Sequence, residues 1–158
     1  MVFKDYTFFS YVFLATVIIL FTGHTIGAGL CDNSPNKQVC YSIVYNRTDP
    51  IAALVAFCNK LIYETKVAKV VAQKQAKSPE TKECIKQFDD ANSYIKVALS
   101  GLRGGQYQTT KEFINSTMVN FQYCDSLYQK SGKTNPIAKS TKHLEDIAGV
   151  GVYLVNLI

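Results

Sequence analysis

The chain has 158 residues, 47% of them hydrophobic and 18% charged, with a formal net charge of +5. That length suits one domain with a core of its own, and the apolar fraction excludes an intrinsically disordered chain. The lysines are spread out, with no run of five like charges and no interleaving of arginine with aromatics, so a nucleic-acid-binding patch is not indicated.

The first thirty or so residues differ from the rest. Lys4 precedes an apolar run from Phe8 to Phe21, about fourteen residues, the length of a signal-peptide core and short for a membrane span. Small residues follow, and cleavage after Gly27, Ala28 or Gly29 fits them. Residues 1–29 are therefore expected to be a secretory leader, with an uncleaved anchor as the alternative, and residues 30–158 the mature domain. Secretion leads to an oxidising compartment, where disulfides persist. Two glycosylation sequons, at Asn46 and Asn115, fit that route.

All five cysteines lie beyond the leader: Cys31, Cys40, Cys58, Cys84 and Cys124. The odd number leaves at least one thiol without an intrachain partner. Cys31 and Cys40 flank the turn-forming stretch Asp32-Asn33-Ser34-Pro35-Asn36, which brings them within disulfide range. The segment from Cys31 to about Tyr45 is too small for its own core and is expected to pack on the rest as a helical arm.

The first long helix is expected to open at Asp49-Pro50, a cap followed by the first-turn proline, and to run to about Gln75. Ile51, Leu54, Val55, Cys58, Leu61, Ile62, Thr65, Ala68 and Ala72 recur at helical spacing. Within this stripe Cys58 reads as a small buried hydrophobe and the unpaired thiol. The second helix opens at Ser78-Pro79 and ends at Gly101, Gly104 and Gly105. Cys84, Ile85, Phe88, Ala91, Ile95, Ala98, Leu99 and Leu102 face inward, while Lys82, Lys86, Asp89, Ser93 and Lys96 stay wet. The third is expected to start with a capping box, Thr109 and Glu112, and to close at Ser131-Gly132, with Phe113, Thr117, Phe121, Cys124 and Tyr128 inward. The fourth starts near Asn135-Pro136 and repeats Ile137, Thr141, Leu144, Ala148, Gly151, Val155 and Ile158, widened by Ile147 and Leu154. Close approach of a neighbouring helix accounts for Gly149 and Gly151, each of which costs about 1 kcal/mol against Ala. Four such helices on short loops predict an all-α antiparallel bundle with a disulfide-tied arm. Cys84 and Cys124 are centred on the corner Gly104-Gly105, so a fold-back there brings their sulfurs level and predicts a second bridge.

Catalytic chemistry is not visible. Beyond the leader there is one histidine, His143. Asp89-Asp90 is a lone dyad, the paired Glu-x-x-His motifs of di-metal bundles are absent, and no glycine-rich phosphate loop follows a strand. No cofactor and no metal are expected, and binding to another macromolecule is the default.

A Cys pair nine residues apart follows the leader. A second pair forty apart carries the block from Cys84 to Ala91 and leads through Asn115 to Cys124. A helix ending in the run from Ala148 to Ile158 closes the chain. Over essentially the whole mature chain these features resemble the plant invertase and pectin methylesterase inhibitor family. The resemblance implies a four-helix bundle with an N-terminal arm, bridges within each of the two Cys pairs, and residence in the cell wall. It implies no catalysis: a member covers the substrate cleft of pectin methylesterase or acid invertase in a one-to-one complex. The span from Cys40 to Cys84 is shorter than in typical members. Val119 stands where many pectin methylesterase inhibitors have Thr, and the Pro-Lys-Phe motif associated with invertase inhibition is absent.

Three functional readings follow: an inhibitor of pectin methylesterase, the leading one; an inhibitor of acid invertase; and a binding or structural module of the same fold that does not inhibit. The expected contact residues are Lys86, Asp89, Ser93, Lys96 and Val119, on the wet faces of the second and third long helices. The molecule is expected to be a secreted monomer of the plant apoplast, with no nucleic acid as partner and no membrane after leader removal.

Overall fold

The computed structural model describes residues 28–75 and 78–158, and all regular structure among them is helical. In order these are α1 (Ala28–Cys31), α2 (Lys37–Val44), α3 (Pro50–Lys74), α4 (Pro79–Arg103), α5 (Tyr107–Lys130) and α6 (Ala138–Val155). The expected leader lies outside the described residues, apart from Ala28 and Gly29 at the start of α1.

Three helix starts work as capping chemistry requires, those at Asp49 and Ser78 as predicted. The Asn36 side chain accepts from the Val39 amide at 3.1 Å to open α2. The Asp49 carboxylate accepts from the Ala52 amide at 2.8 Å ahead of Pro50. The Ser78 hydroxyl accepts from the Thr81 amide at 3.2 Å ahead of Pro79. Each satisfies one orphan N–H and is worth about 1 kcal/mol. The arm ends at Tyr45, whose φ of 51° is unusual for a side-chain-bearing residue. Beside it the Arg47 guanidinium donates to the carbonyls of Ile43 and Val44 and so satisfies the end of α2.

Both expected glycine stops close by the same device. Gln106 N–H donates to Gly101 O at 2.8 Å and Gly105 N–H to Leu102 O at 3.3 Å, with Gly105 at φ +70°. At the end of α5, Lys133 N–H reaches Tyr128 O and Gly132 N–H reaches Gln129 O, with Gly132 at φ +66°. This paired pattern is the Schellman motif, and its left-handed residue carries no Cβ penalty when it is glycine.

The expected capping box at Thr109 and Glu112 does not form. The corner after Gly105 delivers the chain into α5 two residues earlier, so both residues lie inside the helix and Glu112 accepts from Gln108 instead. Thr110 does the joining: its hydroxyl lies 3.2 Å from Ala98 O of α4 and 3.0 Å from Gln106 O. Gly101 permits that approach, because a Cβ there would come within 3.0 Å of Thr110 Oγ1. The start of α6 also shifts, to Ala138. Asn135 makes a turn of its own, accepting from the Ile137 amide at 2.9 Å.

The four long helices form a ring: α4 packs most extensively on α5, α3 on α4, α5 on α6, and α6 closes back on α3. The arm helix α2 rests on α3 and α6. Phe57, Phe88 and Phe121 fill the middle, with the last two rings 6.2 Å apart and tilted. Burial of each such side chain contributes on the order of 2–3 kcal/mol. Gly151 is the close-approach glycine of α6, since any Cβ on it would overlap the Phe57 ring. Gly149 faces open space, which corrects the expectation that both glycines admit a neighbour. Ile158 is likewise corrected: α6 ends at Val155, and the last residues turn outward.

Candidate partner-binding surface

The outer sides of α4 and α5 are where the expected contact residues lie. Lys86, Asp89, Ser93 and Lys96 are all exposed, opposite the buried line of Cys84, Phe88, Ala91, Ile95 and Ala98. Two of them are already engaged. Asp89 accepts from Lys69 of α3 through both carboxylate oxygens, at 2.6 and 2.7 Å, and so ties α3 to α4. Ser93 donates to the Asp89 backbone carbonyl at 3.0 Å. Lys86 has only a loose approach to Glu83, at 3.9 Å.

Val119 is 60% exposed and stands opposite the buried stripe of α5. Tyr123, one turn further on, is exposed as well, as are Val97 near the end of α4 and Tyr107 at the start of α5. This surface therefore combines free lysines with bare apolar side chains, which suits a protein partner better than a small ligand. Sequence reading caught Val119 but missed Tyr123; its position at i+4 from Val119 was the available signal.

The two sequons differ in setting. Asn46 lies in the exposed link after the arm, with Thr48 also exposed. Asn115 is exposed in the middle of α5, but its Thr117 is fully buried and donates to Phe113 O at 2.8 Å.

Cys31 and Cys40 are bridged, with Cα atoms 5.7 Å apart, as the turn between them predicts. Cys84 and Cys124 are brought together by the glycine corner, both fully buried and in hydrogen-bonding contact. Here they are free thiols, whereas the sequence predicts a bridge. The corner sets their proximity; closing the bond takes an oxidant as well. The hydrogen bond to Cys84, followed by burial, pushes the Cys124 thiol far above its ordinary value. Cys58 is buried, and burial raises its thiol to about 12. Arg103, brought close by the fold and invisible as a neighbour in sequence, pulls the other way and loses to burial.

Titration elsewhere follows ion pairs. Lys133 donates to Glu80 at 2.8 Å, and this bond lowers the Glu80 carboxyl to about 2. Asp125 holds α5 to the start of α6 by accepting from Asn135 and Thr141. Burial, with Asp125 nearby, raises the Glu145 carboxyl. His143 is half exposed, 3.7 Å from Glu64. Among the described residues no three His, Cys, Asp or Glu are grouped to hold a metal, and no helix is long and apolar enough to cross a membrane.

The helical ring as a whole is shared with solved structures. A mutant form of a pectin methylesterase inhibitor from Arabidopsis matches with a TM-score of 0.68, over 82% of this chain and 94% of its own, at 11% identity. The chain has the fold of the pectin methylesterase inhibitors. A second solved structure, of a pectin methylesterase inhibitor from Arabidopsis thaliana, matches with a TM-score of 0.61, over 85% of this chain and 97% of its own, at 10% identity. No family model matches the sequence, and no curated protein matches it. The pectin methylesterase inhibitor fold is thus kept here while most side chains differ.

Proposed function

We propose that this chain is a secreted protein inhibitor that caps the substrate cleft of a pectin methylesterase in a one-to-one complex and performs no chemistry of its own. The observation that carries the reading is the near-complete coverage of two solved inhibitor structures by the same bundle. The exposed surface of α4 and α5 supports it: Val119 and Tyr123 supply apolar anchors, while Lys86 and Lys96 supply charge that steers an acidic partner. A standard interface takes about 20–30 residues a side, which the outer faces of two 24- and 25-residue helices can furnish. Residues 1–29 act as the leader in this reading, the apoplast is the site of action, and the touching thiols of Cys84 and Cys124 are oxidised to the second bridge on the way there. Val119, in place of the threonine hydroxyl of many pectin methylesterase inhibitors, keeps acid invertase as the second target.

The test is a titration of the purified secreted protein against a plant pectin methylesterase and, separately, an acid invertase. Stoichiometric loss of pectin methylesterase activity is expected. Loss of invertase activity alone selects the second target, and loss of neither leaves a module that binds without inhibiting.

A further inference from the structure

The sequon Asn115-Ser116-Thr117 lies inside α5, and its two chemical halves are on opposite sides of that helix. Asn115 is exposed, and the exposed Val119 and Gln122 follow it at four and then three residues, so the three share the outward face. Thr117 is fully buried, and its hydroxyl donates to Phe113 O at 2.8 Å. Attachment of an N-glycan needs both the asparagine amide and the hydroxyl two residues on. The finished helix therefore displays the acceptor and withholds the hydroxyl that marks it. At Asn46 there is no such conflict, since Asn46 and Thr48 are both exposed in the link after α2.

We propose that Asn115 is a glycan gate on the α4–α5 surface: transfer occurs only before α5 packs, and each chain that receives the glycan leaves with its partner-binding face shut. The transfer is a substitution at C1 of the first sugar of a polyprenyl-diphosphate oligosaccharide. The bond from Asn115 Nδ2 to C1 forms, the C1–O bond to diphosphate breaks, diphosphate leaves with the electron pair, and the amide gives up one proton to solvent. Time for this exists because a helix takes most of its stability from tertiary packing. The ring that α5 packs into closes through α6, which follows α5 in the chain. At about 5–20 residues per second, Val155 is synthesised about 2–8 s after Thr117. The window is short, so the secreted population is mixed. Once attached, the sugar stands one helical turn from Val119, with the two Cβ atoms about 5–6 Å apart, and its bulk keeps a large partner off that face. A glycan on Asn46 does not, because the arm rests on α3 and α6, away from the α5 exterior. The effect on inhibition rests on the inhibitor reading, whereas the shielding of Val119 does not.

The test uses Asn46→Gln protein secreted from a glycosylating eukaryotic host, which leaves Asn115 as the one remaining sequon. A lectin column should split it into a sugar-bearing and a bare fraction. The bare fraction should inhibit pectin methylesterase stoichiometrically and the sugar-bearing one at least about tenfold more weakly, with inhibition regained when the glycan is released enzymatically. In the same background Val119→Cys introduces an exposed thiol, while the native free thiols are buried. A polymer-bearing maleimide should label it at least about tenfold faster in the bare fraction than in the sugar-bearing one. Equal inhibition by two active fractions, equal labelling, or the lack of a sugar-bearing fraction each overturns the gate. If the bare fraction inhibits nothing, the inhibitor reading is what fails, and the labelling contrast alone decides whether the glycan shuts the face.

Discussion

The outer faces of α3 and α4 are adjacent on one scaffold, and α3 adds an apolar line that most of α4 lacks. α4 presents Lys82, Lys86, Asp89, Ser93 and Lys96 to solvent, while α3 presents Tyr63, Val67 and Val70. A helix with one apolar stripe declares both of its faces at once, because everything off the stripe is wet. A helix with two apolar lines declares neither clearly, and which line is inside depends on what packs there. Lys69 sits at the boundary: it leaves α3 to grip Asp89 of α4 and separates the apolar face from the charged one.

Substitutions on the two sides of each helix sharpen the contrast. On the inner side of α3, Phe57→Ala should cost about 3–5 kcal/mol in a denaturant titration, since it empties the slot that Gly151 admits. On the outer side, Val67→Ser should shift stability by less than about 0.5 kcal/mol in the same titration. On the inner side of α4 and α5, Cys124→Ser should cost about 4 kcal/mol if the secreted protein carries the second bridge, from the loop that bridge closes. A loss near 1 kcal/mol, together with three free thiols in the parent protein by unreduced mass spectrometry, would mean the pair stays reduced.

Smaller effects are expected on the α4–α5 exterior. Val119→Arg should weaken enzyme inhibition at least about tenfold with an unchanged melting temperature; an unchanged inhibition constant would move the contact surface elsewhere. Glycopeptide mapping should find Asn46 more fully occupied than Asn115, whose Thr117 is sequestered once α5 forms. The smallest effect concerns pH. The Glu80 carboxyl is lowered in the fold by Lys133, so its contribution is fully present above the ordinary carboxylate value of 4.5 and is lost as pH falls toward about 2. Glu80→Gln should flatten that acid limb of the melting-temperature profile and leave the neutral region nearly unchanged.

Much of this was legible without coordinates because it is local. Asp49-Pro50 and Ser78-Pro79 start helices through hydrogen bonds within three residues, and Gly105 and Gly132 end them through backbone angles that only the immediate chain sets. The Thr109–Glu112 capping box failed for the same reason in reverse: a stronger local signal, the glycine corner, had already fixed where α5 begins. Of the candidate surface, Lys86, Lys96 and Val119 could be placed from periodicity alone, whereas the capture of Asp89 by Lys69 could not, since its partner lies twenty residues away on another helix.

The sequence by itself determined that this is a ring of capped amphipathic helices with Cys31 tied to Cys40 and Cys84 set level with Cys124. Each of these follows from a turn, a cap or a repeat whose parts are close along the chain. Only the tertiary structure decided which of the two apolar lines of α3 is buried, which of the two α6 glycines is needed, and which exposed charges are still free. Those outcomes depend on what another helix places within about 4 Å, and packing of that kind is a property of the whole core rather than of any one segment.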